Sequence, residues 1–190
     1  WLEGEDLGAR LAREGVTAEE AVAIGTRLLG ALAFAHAKGV IHRDIKPSNV
    51  FLPSGDPAQA KVLDFGIARL DTATRMMTNT GAMLGSVGYM APEQARGERT
   101  VGPRSDLFSV GCVLFECFAG RPTFTGSHPI SILVQALHDR PPSLGELRED
   151  LPHALVDLVD GLLERDPADR PESAADALAT LTAVGPLGGI

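Results

Sequence analysis

Cysteine is scarce in this chain, two among 190 residues, which excludes a scaffold stapled by several disulfides. Cys112 and Cys117 lie five positions apart in one apolar run, a spacing that a single helix does not bridge. They read as buried thiols of a reducing compartment. Basic residues are also in deficit: 17 Lys and Arg face 25 Asp and Glu, a formal net charge of −8. That balance argues against an extended nucleic-acid or anionic-membrane surface. No apolar run approaches the ~20 residues of a membrane helix. The opening carries Glu3, Glu5 and Asp6 where a signal peptide has basic residues. The expectation is a soluble, cytoplasmic chain. What is present is a 44% hydrophobic content, in a length that fits one domain with its own core. No internal repeat or low-complexity tract interrupts it.

Local patterns place the elements. Thr17, Ala18, Glu19 and Glu20 form a capping-box pattern, and Ile24, Leu28, Ala31, Leu32 and Ala35 follow at helical spacing. Val50–Leu52 and Lys61–Leu63 are short apolar runs around the turn cluster Pro53–Pro57, which predicts a small β-hairpin. From Asp71 to Gly85 the periodicity fails, and a loop is expected. Asp106–Phe118 is apolar almost all round, the pattern of a buried central helix. Further helices are expected at Ile130–Leu137, behind Pro129, and at Leu155–Leu163, behind Pro152. A last one is opened by Pro171 and closed by Gly185 and Pro186. The fold class is mainly α, a bundle around the central helix with one hairpin.

Chemistry concentrates in the stretch His42–Asn49, HRDIKPSN, and in the tripeptide DFG, whose Asp64 lies fifteen residues after Asn49. A transferring phosphoryl group needs a carboxylate to orient the acceptor hydroxyl and oxygen ligands to hold Mg²⁺ against nucleotide phosphates. Asp44 suits the first task, and Asn49 with Asp64 the second. The hairpin between Asn49 and Asp64 would bring the two oxygen donors together. Ala91, Pro92 and Glu93 then form an APE tripeptide. Any one of these segments alone reads as a turn; three in this order carry more.

Together these segments resemble the eukaryotic-type Ser/Thr protein kinases, bacterial members especially, from the first residue to about Val184. The resemblance implies ATP and Mg²⁺ as cofactors and protein Ser/Thr hydroxyls as acceptors. IKPSN after Asp44 is similar to the Ser/Thr-kinase pattern, and tyrosine kinases typically carry arginine there. Ahead of His42 the chain has no G-x-G-x-x-G loop and no V-A-I-K-like strand. The expectation is therefore a C-terminal lobe alone over residues 1–184, with a linker starting at 185–190. An isolated lobe of this kind should be inactive.

Residue by residue, the resemblance makes Asp44 and Lys46 catalytic and Asn49 and Asp64 metal ligands. Leu2, at the expected hinge, and Phe51, beneath adenine, become nucleotide contacts. Thr78 and Thr80 become activation-segment phosphosites, with Arg43 pairing their phosphate. Ser86 stands where the family has a threonine beside the catalytic Asp and Lys. His42 and Phe65 are implied as stacked spine residues, Asp106 as the carboxylate tying the catalytic loop to the central helix, and Glu93 with Arg170 as a buried ion pair. Implied partners are protein substrates and a second kinase copy for autophosphorylation in trans. Many bacterial relatives carry a membrane span downstream. The competing reading is a noncatalytic scaffold that binds proteins through the surface around Ile130–Leu137.

Overall fold

The structure, a computed structural model, describes residues 3–65, 87–98, 101–185 and 187. A three-stranded antiparallel sheet sits at one end of a set of helices. Strand β1 (Gly4–Asp6) leads directly into helix α1 (Leu7–Arg13), which Asp6 caps by accepting from the Ala9 amide. Helix α2 (Ala18–His36) starts as its capping box predicts: Thr17 accepts from the Glu20 amide while the Glu20 side chain accepts from the Thr17 amide. The chain then crosses the HRD stretch and a short 3-10 turn at Pro47–Asn49 to reach β2 (Val50–Pro53) and β3 (Lys61–Val62).

The predicted hairpin is present, paired Val50 to Val62 and Phe51 to Lys61. It is not the whole sheet. Strand β1 pairs on the other edge of β2, Glu5 opposite Leu52 and Asp6 opposite Phe51. Three residues carry too short an alternation to announce a strand. Gly4 makes the pairing possible, because at φ 152° an added Cβ would lie 2.3 Å from the Leu52 carbonyl oxygen and 2.8 Å from the Phe51 ring. An arginine network holds the sheet to the helices. Arg10 donates to Glu5 at 2.9 Å and to the Gly55 carbonyl at the hairpin tip at 2.7 Å. Arg13 and Arg10 together draw the Glu5 carboxyl down to about 2.

The short helix α3 (Pro92–Ala95) precedes α4 (Pro103–Ala119), the central helix, which starts three residues earlier than Asp106 and stops at Gly120 in the left-handed region, φ 67°. Leu107, Phe108, Val110, Val113, Leu114 and Phe115 on it are all fully buried. Helices α5 (Pro129–His138), α6 (Leu144–Leu147), α7 (His153–Leu162) and α8 (Ala174–Ala183) follow. The last helix differs from its predicted start. Ser173, not Pro171, caps it, because its hydroxyl accepts from the Asp176 amide. Helix α2 packs on both α4 and α8. Gly25 is where they close: a Cβ there would stand 2.9 Å from Leu114 and from Leu181. Among the described residues no helix is long and apolar enough to cross a membrane.

Candidate active site

The HRD stretch has little regular structure, so side chains fix its path. Asp106, fully buried in the first turn of α4, supplies the anchor. Its Oδ2 accepts from the His42 amide at 2.8 Å, and its Oδ1 from the Arg43 amide at 2.7 Å. His36, in the last turn of α2, adds its Nε2 to Oδ2 at 2.8 Å. Three donors on one carboxylate offset the cost of burying it. Arg43 consequently holds φ 66°, a left-handed conformation that non-glycine residues rarely adopt.

The bend turns Asp44 toward Lys46 and Asn49. Lys46 Nζ lies 3.0 Å from Asp44 Oδ2. Asn49 Nδ2 donates to the Asp44 carbonyl at 2.8 Å and to Asp44 Oδ2 at 3.1 Å. With its amide nitrogen committed to Asp44, Asn49 has its oxygen left to meet a cation. The Leu63 amide donates to the Asn49 carbonyl at 2.9 Å, continuing the hairpin by one bond. That bond places Asp64 one residue beyond the partner of Asn49. Asp64 is exposed and takes φ 51°, a second left-handed non-glycine residue at this edge.

His42 joins the two halves. Its Nδ1 accepts from the Asp44 amide at 3.2 Å, so Nε2 carries the hydrogen and donates to the Leu63 carbonyl at 2.9 Å. Its ring lies 4.7 Å from that of Phe65, tilted by 57°. Phe51, half-buried on β2, lies between Asp6 and Lys61 in the sheet.

Glu93 and Arg170 meet below the loop. Both are buried, and Ser105 also donates to Glu93 Oε1, at 2.7 Å. Burial alone would raise the Glu93 carboxyl, yet its bonds to Arg170 and Ser105 outweigh that and lower it. In the 3-10 turn Val87–Tyr89, Tyr89 donates its hydroxyl to Glu116 Oε2 in the last turn of α4, at 2.5 Å. Burial raises the Glu116 carboxyl, and the Tyr89 bond opposes the rise only in part.

One hairpin joins the HRD aspartate, the asparagine five residues on and the DFG aspartate. The protein kinase domain family matches residues 1–181. The chain belongs to that family. It is 37% identical over 186 residues to the serine/threonine-protein kinase PknB of Mycobacterium tuberculosis, covering 97% of this chain and 29% of the relative. A probable serine/threonine-protein kinase of Corynebacterium efficiens is likewise 37% identical, over 95% of this chain and 28% of its own length. Among solved structures, that of Rad53 residues 1–466 in complex with AMP-PNP superposes with a TM-score of 0.72 at 28% identity. The match covers 94% of this chain and 44% of that one. The chain thus spans under a third of the length of these curated relatives.

Membership in the kinase family does not favour the scaffold reading. On α5, Ile130 is 66% exposed and Val134 48%. Of the residues expected at the kinase site, Asp44, Lys46, Asn49, His42, Asp106 and Arg43 are in mutual contact or one bond removed. Glu93 and Arg170 form their pair. Leu2, Thr78, Thr80 and Ser86 lie outside the described residues. Sequence reading missed His36, Gln94 and Ser105. His36 is six positions ahead of His42 at the end of α2, and that placement was the available signal. Gln94 and Ser105 had none beyond adjacency to Glu93 and Asp106.

Proposed function

We propose that this chain is the C-terminal lobe of a bacterial-type Ser/Thr protein kinase that transfers the γ-phosphate of ATP to protein hydroxyls. The observation that carries the reading is the grip on Asp44: its Oδ2 faces both Lys46 Nζ and Asn49 Nδ2 at about 3 Å, at the end of a loop held by Asp106. A carboxylate so oriented accepts the hydrogen bond of an incoming hydroxyl and sets its line of attack, and Lys46 stands close enough to meet the transferring phosphate as a point charge. Phosphoryl transfer is mostly positioning and charge stabilisation, so this rigidity is the lobe's contribution.

The donors present fit Mg²⁺, an oxygen-seeking ion: the Asn49 amide oxygen and the Asp64 carboxylate. Bound there, the ion would neutralise charge on the nucleotide phosphates. Among the described residues no three His, Cys, Asp or Glu side chains gather as a metal site. The remaining oxygens would come from water and phosphate, as is usual for Mg²⁺. Rad53 is in complex with AMP-PNP in its structure, which supports a nucleotide here, with Phe51 and Leu2 as its contacts. Ser86 would position the acceptor beside Asp44 and Lys46.

Arg43 is assigned to an activation-segment phosphate on Thr78 or Thr80. Its Nε is buried and has no hydrogen-bond partner among the described residues, and a phosphate would satisfy it. The substrates are proteins with Ser or Thr acceptors, a second kinase copy among them. The domain would act in the cytoplasm.

The reading is tested by radiolabelled ATP transfer to a Ser/Thr peptide by the kinase that carries this lobe with a G-x-G-x-x-G loop and strand lysine. Asp44→Asn should abolish transfer. The 190-residue chain alone should transfer negligibly, since its sequence has neither element. Full transfer by the Asp44→Asn variant would overturn the assignment.

A further inference from the structure

The peptide that joins Arg43 to Asp44 is held at both ends by side chains. Its carbonyl accepts from Gln94 Nε2 at 3.1 Å, and its N–H donates to His42 Nδ1 at 3.2 Å. Gln94 is the third residue of α3, next to Glu93, and its other side-chain atom is also committed: Oε1 accepts from the Ala91 amide at 3.2 Å. One amide side chain therefore caps the helix that carries Glu93 and grips the residue ahead of Asp44. Asp106 does not do this second task, because it holds the Arg43 amide and leaves the following peptide to His42 on its N–H and Gln94 on its carbonyl.

Rotation about that plane matters. Arg43 at φ 66° lies in a region with a shallow energy well for a residue with a Cβ. A turn of the 43–44 peptide would swing Asp44 away from Lys46 and Asn49. We infer that Gln94 is a positioning residue for Asp44, fixing the 43–44 peptide plane and linking the catalytic loop to the Glu93–Arg170 anchor. The inference rests on the kinase reading for its consequence in turnover, and on geometry alone for its effect on the loop.

Gln94→Glu separates the two halves of the side chain. It keeps an oxygen for the Ala91 amide and replaces the donor to Arg43 with a second acceptor, so the helix cap survives and the loop contact does not. Gln94→Met loses both. In the full 190-residue chain, amide hydrogen exchange by NMR should show the Asp44 amide exchanging at least about fivefold faster in Gln94→Glu. The His42 and Arg43 amides, held by Asp106, should stay protected, and the melting temperature should hold to within about 2 °C. Gln94→Met should add a loss of protection at Ala91. In the kinase carrying this lobe, Gln94→Glu should lower kcat about tenfold with the KM for ATP unchanged, as expected when orientation and not binding is lost.

An Asp44 amide as protected in Gln94→Glu as in the parent overturns the inference. So does a uniform loss of protection along the whole chain in both variants, which would make Gln94 a general stabiliser. If the parent kinase transfers no phosphate, the kinase reading fails, and the exchange arm still decides the role of Gln94.

Discussion

Arg170 directs every one of its five N–H donors to a partner, and Glu93, 77 positions away, takes two of them. The pair is bidentate at 2.8 and 2.9 Å, and the remaining donors go to the carbonyls of Arg104, Glu164 and Arg165. Phe108 of α4 lies under the guanidinium, 5.0 Å from ring centroid to charge. The arginine thus ties α3, the start of α4 and the loop after α7 into one unit.

Breaking that unit from either side should be severe. Glu93→Ala or Arg170→Met leaves a buried charge without its partner and should cost about 3–5 kcal/mol, read from denaturant unfolding. The pH dependence has a definite sign. The Glu93 carboxyl is lowered when folded, so its contribution is complete above the ordinary value of 4.5 and is lost as pH falls through the lower folded value. Glu93→Gln should therefore flatten the acid limb of the stability curve below that pH. A limb as steep as the parent's would count against the pairing energetics.

Asp64 should behave as a functional residue with little structural weight, whereas Asn49 also holds Asp44 through two hydrogen bonds. Asp64 is exposed and left-handed, a conformation asparagine tolerates well, so Asp64→Asn removes a charge without adding strain. In the complete kinase, Asp64→Asn and Asn49→Ala should each reduce turnover by 100-fold or more, about 3 kcal/mol of transition-state stabilisation. The melting temperature of Asp64→Asn should stay within about 3 °C of the parent, and that of Asn49→Ala should fall further because its two hydrogen bonds to Asp44 are lost. Magnesium titration of activity should move to higher concentration in both.

Asp106→Ala is expected to fail differently. It strips the acceptor from the His42 amide, the Arg43 amide and His36 Nε2 at once. Orphaned buried donors cost about 1–3 kcal/mol each, so a loss of about 3 kcal/mol or more should accompany the loss of activity. Equal melting temperatures for Asp106→Ala and Asp64→Asn would erase the distinction between loop anchor and metal ligand.

The Arg43 assignment predicts a phosphorylation switch. The double change Thr78→Ala plus Thr80→Ala should leave the kinase in its low-activity state, and Arg43→Ala should make the phosphorylated enzyme behave like the unphosphorylated one. Mass spectrometry of the active enzyme should find phosphate on one of the two threonines. Full activity with both unmodified would remove the switch.

Much of the molecule was legible along the chain because it is local. The capping box at Thr17–Glu20 and the all-apolar run of α4 each announce a helix within a few residues of its observed span. The turn cluster at Pro53–Pro57 and its flanking runs likewise announced a hairpin. HRDIKPSN, DFG and APE carried the kinase family in their own letters. Other features have no local signal, since their energy lies in partners far away in sequence. Strand β1 exists because β2 offers it a hydrogen-bonding edge and Gly4 has no side chain to block the approach. Gln94 became a grip on Arg43 only when α3 docked against the catalytic loop, and His36 joined Asp106 only when α2 packed on α4. The kinase family could thus be read from residue types and spacing, whereas the aim of Asp44 was decided by burial: polar groups removed from water must find partners, and only the folded chain says which are within reach.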